Sequence, residues 1–262
     1  MSHRSFRGKP LSRRAALGRL GVLGFVSLVG LQSRLRSARA AGGSIVIGDA
    51  CTLSPELTIG PYFVDEHLER SDLRQGEGSD TPYITDAVPL YLTINATSAI
   101  TAGCSPLAGV QIDVWHCHAG GLYSDEAANG TGGQTWLRGY QLTDADGNVS
   151  FTTIYPGWYQ GRTIHIHVMA RYYDSAGNTT YQFTTQLFFD DATSNLVMAN
   201  YPYNTRGNRG TTNQNDSIYD ASMLLDLSGN SDGSYTGTIM LGLELEGTSL
   251  ADAIYANGFE SA

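Results

Sequence analysis

The stretch Thr163-Ile164-His165-Ile166-His167-Val168, running on through Met169-Ala170-Arg171-Tyr172-Tyr173, reads as one β-strand. Pro156-Gly157 precedes it, and Asp174-Ser175-Ala176-Gly177-Asn178 supplies a turn after it. Successive strand side chains face opposite sides, so Ile164, Ile166 and Val168 share one face and His165 and His167 the other. One face is built for an apolar core, and the other presents two imidazoles side by side. A His-x-His strand serves copper, zinc and non-haem iron centres and also occurs as a structural pair, so it marks a candidate site without choosing the metal.

Outward from this strand the same pattern repeats. Runs rich in Val, Ile, Thr, Tyr and Phe occur at Pro89 to Thr97, Gly109 to Cys117, Val149 to Tyr155, Tyr181 to Phe189 and Ser234 to Glu246. Turn signals such as Asp144-Ala145-Asp146-Gly147-Asn148 separate them. This spacing predicts an all-β chain, an antiparallel β-sandwich with long connecting loops, over residues 88–262. Residues 41–87 are punctuated by Pro and Gly and are expected to wrap the sandwich within the same domain. The stretch Asn204 to Asp216 reads as a solvated loop, and a short helix is expected around Ser217 to Leu225.

The first forty residues belong to a different kind of segment. They carry nine Lys and Arg and no acid, with Ser12-Arg13-Arg14-Ala15-Ala16-Leu17, an apolar run of about 12 residues from Leu20 to Leu31, and Ala38-Arg39-Ala40 at their end. That run is short of the roughly 20 residues that span a bilayer. The segment reads as a cleaved twin-arginine export signal, which predicts a periplasmic or extracellular protein. Residues 41–262 then hold seven arginines, no lysine and 25 acids, a net charge of −18 against −9 for the whole chain. Such a surface excludes nucleic acid and anionic lipid as partners. No membrane association is expected after cleavage, and the sequence is compatible with an oligomer. With so few cations, each arginine is informative, Arg162 above all. In an oxidising compartment Cys51 and Cys104, both in turn-like sequence, are expected to form a disulfide, leaving Cys117 buried in its strand.

Two further segments flank the histidines. Pro156-Gly157-Trp158-Tyr159-Gln160-Gly161-Arg162 turns Tyr159 back towards the His-x-His strand and sets Arg162 three residues before His165. Tyr123 lies in Gly120-Gly121-Leu122-Tyr123-Ser124. In a chain with fifteen tyrosines, each is by itself more often a half-buried aromatic than a ligand.

Taken together and in order, four segments resemble the intradiol ring-cleaving dioxygenases, close to the protocatechuate 3,4-dioxygenase branch and its exported relatives. They are Leu57-Thr58-Ile59-Gly60-Pro61-Tyr62-Phe63, Gly109 to His116 with Gly121-Leu122-Tyr123-Ser124, Pro156 to Val168, and Thr184-Thr185-Gln186-Leu187-Phe188-Phe189-Asp190. The resemblance spans about residues 51–247. It implies one Fe(III) held by Tyr123, Tyr159, His165 and His167, with Tyr159 the axial phenolate that leaves when substrate binds. It places Arg162 and Gln186 where charge on the ring is stabilised, and Gly60 and Pro61 along the substrate pocket. The implied reaction inserts O₂ into a small aromatic diol to give a cis,cis-muconate-type product.

Some positions depart from that pattern. Ile59 and His118 stand where other residue types are expected, and the segment from Tyr159 to Arg162 is short, which predicts an open pocket and leaves the ring substituent unassigned. His116 and His118 form a second His-x-His pair on which a second metal is conceivable; they are read here as one packed histidine and one at the pocket rim, outside the iron site. Two other functions remain compatible with the residues alone: a copper- or zinc-binding sandwich, as in superoxide dismutation or metal storage, and a non-catalytic sandwich that binds aromatics or saccharides.

Overall fold

The computed structural model describes residues 51–76, 82–101 and 103–246; the export signal expected at residues 1–40 lies outside them. In chain order the elements are α1 (Pro82–Thr85), β1 (Pro89–Ser98), β2 (Gln111–Trp115), β3 (Arg138–Leu142), β4 (Asn148–Ile154), β5 (His165–Tyr173), β6 (Thr179–Phe188), α2 (Asp191–Met198), β7 (Asp226–Gly229) and β8 (Tyr235–Leu243). The strands form two four-stranded sheets, ordered β4-β1-β8-β7 and β3-β2-β5-β6. This is the β-sandwich that the strand spacing predicts.

The apolar face of each strand points between the sheets. Leu90, Leu92, Ile94 and Ala96 of β1 alternate inward, opposite Ile112 and Val114 of β2 and Ile166, Val168 and Ala170 of β5, all within one core cluster. Each fully buried aliphatic side chain of this kind contributes roughly 1.5–3 kcal/mol. A one-residue slip of β5 would put His165 and His167 into that core and its aliphatics outside, so burial fixes the register that orients the histidines.

β1 and β8 run parallel, a correction to a wholly antiparallel expectation. Parallel neighbours need a long crossover, and all four strands of the second sheet lie between these two strands in sequence. β3 and β7, not anticipated, are short and mostly polar, with no clear alternation to reveal them. The helix expected at Ser217 to Leu225 is a single 3-10 turn, Ala221–Met223, because Leu225 N–H bonds the Phe188 carbonyl at 2.9 Å and pulls the chain straight beside β6. Helix α2 lies upstream, its first turn capped by the Asp190 carboxylate on Thr193 N–H at 2.7 Å.

The segment before β1 follows the outside of both sheets. Its backbone bonds β8 (Ser54 N–H to Gly242 O), β6 (Leu57 N–H to Thr184 O), β3 (Arg70 N–H to Tyr140 O) and β4 (Leu73 N–H to Thr152 O). This strap covers the outer face of the second sheet, which is why all five residues of β2 are buried. Cys51 and Cys104 are joined in a disulfide, and Cys117 is free and buried.

Candidate metal centre

The outward face of β5 and its neighbours builds the site. Cross-strand register aligns Trp115 of β2, His167 of β5 and Gln186 of β6 in one row. The Trp115 ring stacks on the His167 imidazole, centroids 4.9 Å apart and planes 9° from parallel, which fixes that ring. His165, next on the same face, donates Nδ1–H to the Thr163 carbonyl at 2.7 Å. A carbonyl only accepts, so the proton of the neutral ring is on Nδ1 and the Nε2 lone pair points into the site.

Three groups crowd that lone pair. Tyr159 Oη is 3.1 Å from His165 Nε2, His167 Nε2 is 3.1 Å away, and Tyr123 Oη is 3.5 Å away. His165 Nε2 accepts one proton, so hydrogen bonding satisfies one of these approaches at a time. A single cation satisfies all four donors, and two nitrogens about 2.1 Å from a cation at a right angle are about 3 Å apart. The residues present therefore fit a metal. Among the described residues no three His, Cys, Asp or Glu side chains group as a metal set, so a centre here needs the tyrosines. Two phenol oxygens with two imidazoles suit a hard, highly charged ion better than Cu(I) or Zn(II).

Burial sets the protonation of the cluster. It holds the His165 imidazole down at about 3, holds His167 well below the usual histidine range, raises Tyr159 to about 12 and raises Tyr123 well above the usual phenol range. Without a cation the cluster is neutral, with both phenols protonated. Cation binding at these oxygens displaces those protons.

The surrounding shell comes from distant parts of the chain. Arg162 Nε–H donates to the Asp216 carboxylate at 2.9 Å, and its Nη2–H to the Gln186 side-chain oxygen. Asp216 also accepts Thr163 N–H at 2.8 Å and Ile218 N–H at 2.8 Å. The Gln186 amide donates to the Thr58 carbonyl at 2.7 Å, tying β6 to the strap. Gly60 follows at φ +70°, where an added Cβ would stand 3.0 Å from His167 Cε1. Pro61 is exposed beside it, and Tyr62 stacks on Tyr123 with centroids 4.4 Å apart and meets Tyr159 edge-on. Buried Arg138 donates to Tyr62 O at 2.6 Å and to both oxygens of Ser124, bracing the backbone on either side of this stack.

All eight residues singled out by sequence, Tyr123, Tyr159, His165, His167, Arg162, Gln186, Gly60 and Pro61, thus belong to this region, with Pro61 placed only through its neighbours. Asp216 corrects the reading of Asn204 to Asp216 as solvated: its side chain is 1 % exposed and paired with Arg162. Its local bond to Ile218 N–H is an ordinary loop feature, and the partners that bury it, Arg162 and Thr163, lie more than fifty residues away. Arg138, also missed, was discoverable only through the scarcity of arginine. His116 and His118 stand apart from the cluster. His116 uses both ring nitrogens, on Cys117 O at 2.9 Å and the Thr153 hydroxyl at 2.7 Å, and His118 lies between the rings of Tyr83 and Trp136.

Fold and site together define a β-sandwich protein with a mixed tyrosine and histidine donor cluster on one sheet. A family model described as a dioxygenase matches residues 60–206. The chain is similar to an intradiol ring-cleavage dioxygenase from Tetranychus urticae, at 29 % identity and a TM-score of 0.61 over 76 % of this chain and 98 % of that one. It is likewise similar to the dioxygenase domain of a dioxygenase carbohydrate-binding protein fusion from Streptomyces sp. SirexAA-E, at 30 % identity and a TM-score of 0.53, covering 74 % and 99 %. A catechol 1,2-dioxygenase from Candida albicans is 43 % identical over 54 residues, which is 21 % of this chain and 18 % of that protein. The chain belongs to the intradiol ring-cleaving dioxygenase family.

Proposed function

We propose that this chain is an exported, iron-dependent intradiol dioxygenase that inserts O₂ into a catechol-type ring to give a cis,cis-muconate-type product. The observation that carries this reading is the convergence of two phenol oxygens and one imidazole on the His165 Nε2 lone pair, with Arg162 and Gln186 hydrogen-bonded to each other beside them. A copper or zinc centre would need neither tyrosine, and family membership speaks against a pure binding module.

Tyr123, Tyr159, His165 and His167 would hold the iron. A bound ferric ion supplies Lewis acidity, lowering the pKa of the diol and drawing electron density from it. The remaining roles fall to this chain's own groups. Tyr123 is 1 % exposed and stacked under Tyr62, so it is the fixed phenol. Tyr159 is only partly buried and sits on the short segment before Arg162, so it is the side chain free to swing out, and in the deprotonated form that a bound ferric ion would hold, its Oη would take a substrate hydroxyl proton. Arg162 sets a permanently charged guanidinium beside the ring, and Gln186 fixes its direction. Groups that stabilise developing charge in a water-poor site typically contribute about 10²–10³ in rate each.

Export is supported by the twin-arginine segment together with the Cys51 to Cys104 disulfide, which belongs to an oxidising compartment. Among the described residues no helix is long and apolar enough to cross a membrane. The deciding experiment is purification with ferric reconstitution followed by product identification. A red-brown tyrosinate-to-iron absorption and a muconate product are expected. A colourless reconstituted protein, or an extradiol semialdehyde product, overturns the reading.

A further inference from the structure

The proposed function leaves the ring substituent open, and the placement of positive charge closes it. We infer that the site takes an uncharged catechol and rejects ring-carboxylated ones. The inference rests on the proposed ring cleavage and deepens it.

A carboxylate brought into a buried pocket needs a cation or a set of donors in place of its lost water. Residues 41–262 offer seven arginines and no lysine, and all seven lie among the described residues. Arg70 donates to the carbonyls of Gln75, Thr135 and Arg138. Arg74 pairs with Asp72, Arg171 with Asp65 and Asp113, and Arg209 with Asp191. Arg138 is spent on Tyr62 and Ser124, bracing the strap and the Tyr123 loop. Arg206 donates to the carbonyls of Gly120 and Trp158 and lies 5.1 Å over the Trp158 ring.

Arg206 is exposed and faces an open pocket with Gln160 and Gly161, whereas Arg162 is the cation whose charge is felt by Tyr123, Tyr159, His165 and His167 alike. Asp216 neutralises it from a side chain that is 1 % exposed, and Gln186 occupies its other end. The arginine can polarise a ring held beside it, but as half of a buried ion pair it carries no spare charge for a substituent. The charge of −18 over residues 41–262 adds a long-range field that repels anionic substrates. The same field favours departure of a muconate, which carries two carboxylates.

The test compares 4-methylcatechol with 3,4-dihydroxybenzoate, nearly equal in shape and different in charge, on the iron-loaded protein. The kcat/KM of the acid is expected to be lower by about 100-fold or more. The gap should narrow as salt is raised from roughly 20 to 500 mM and the field is screened. Asp216→Asn, which unmasks Arg162, should raise the acid-to-methyl ratio by about tenfold even if both rates fall. Comparable kcat/KM for the two substrates overturns the inference while leaving ring cleavage intact. So does a preference for the acid that disappears in Arg206→Ala, which would assign an anion site to Arg206. A red-brown protein that cleaves no catechol removes the proposed function and this inference with it.

Discussion

Replacing Gly60 with alanine tests whether the strap is seated on His167. Gly60 has φ +70°, where an L-residue costs about 1–2 kcal/mol. The new Cβ would stand 3.0 Å from His167 Cε1, and His167 has no room to retreat because Trp115 is stacked flat on it. The strap must lift, disturbing the Gln186 bond to Thr58 and the packing of Tyr62 on Tyr123. A total cost of about 2–3 kcal/mol corresponds to a fall in Tm of about 4–12 °C for a chain of this size. Gly177→Ala is the control: its φ is +81° with nothing within 4 Å of an added Cβ, so it bears the backbone cost alone. Thermal unfolding of the iron-loaded proteins, read by circular dichroism and by the visible absorption band, separates the two. Gly60→Ala should lose more stability than the control and also shift the band. If both variants behave alike and the band stays in place, the claimed contact between strap and His167 is wrong.

Tyr159→Phe should retain the fold, shift the visible band and abolish most turnover; unchanged colour and rate would reassign the mobile phenol. Removal of iron by a chelator should bleach the protein and lower its Tm, and ferric uptake in unbuffered solution should release about two protons from the phenols, read by pH-stat. His116 and His118 are both held at about 4 by burial, against 6.5 unfolded. Their folded values are depressed, so the stability they contribute is full above pH 6.5 and is lost as pH falls towards 4, up to roughly 3 kcal/mol each. His118→Phe, which keeps a ring between Tyr83 and Trp136, should flatten the pH dependence measured by urea unfolding between pH 7 and 4.5; an unchanged slope would refute the buried, neutral assignment.

The sequence by itself determined the sandwich and the orientation of the histidine pair. Two-residue alternation in β1 and β5 carries both, because burial of Ile164, Ile166 and Val168 leaves His165 and His167 a single direction. It brought Tyr123, Tyr159 and Gln186 to attention only through the ordered set of segments, since a tyrosine in a strand-rich chain has no local mark of a ligand, and Arg162 also through the scarcity of cations. The tertiary structure alone decided what those side chains do to one another. The parallel pairing of β1 with β8, the cap of Tyr62 on Tyr123, the pressure of Gly60 on His167 and the burial of Asp216 against Arg162 all join residues far apart in sequence. Local propensity is blind to such pairs. A charged residue in a polar loop reads as solvated until the fold supplies its counterion, and at Asp216 that counterion converts the site's arginine from a free cation into half of a neutral pair.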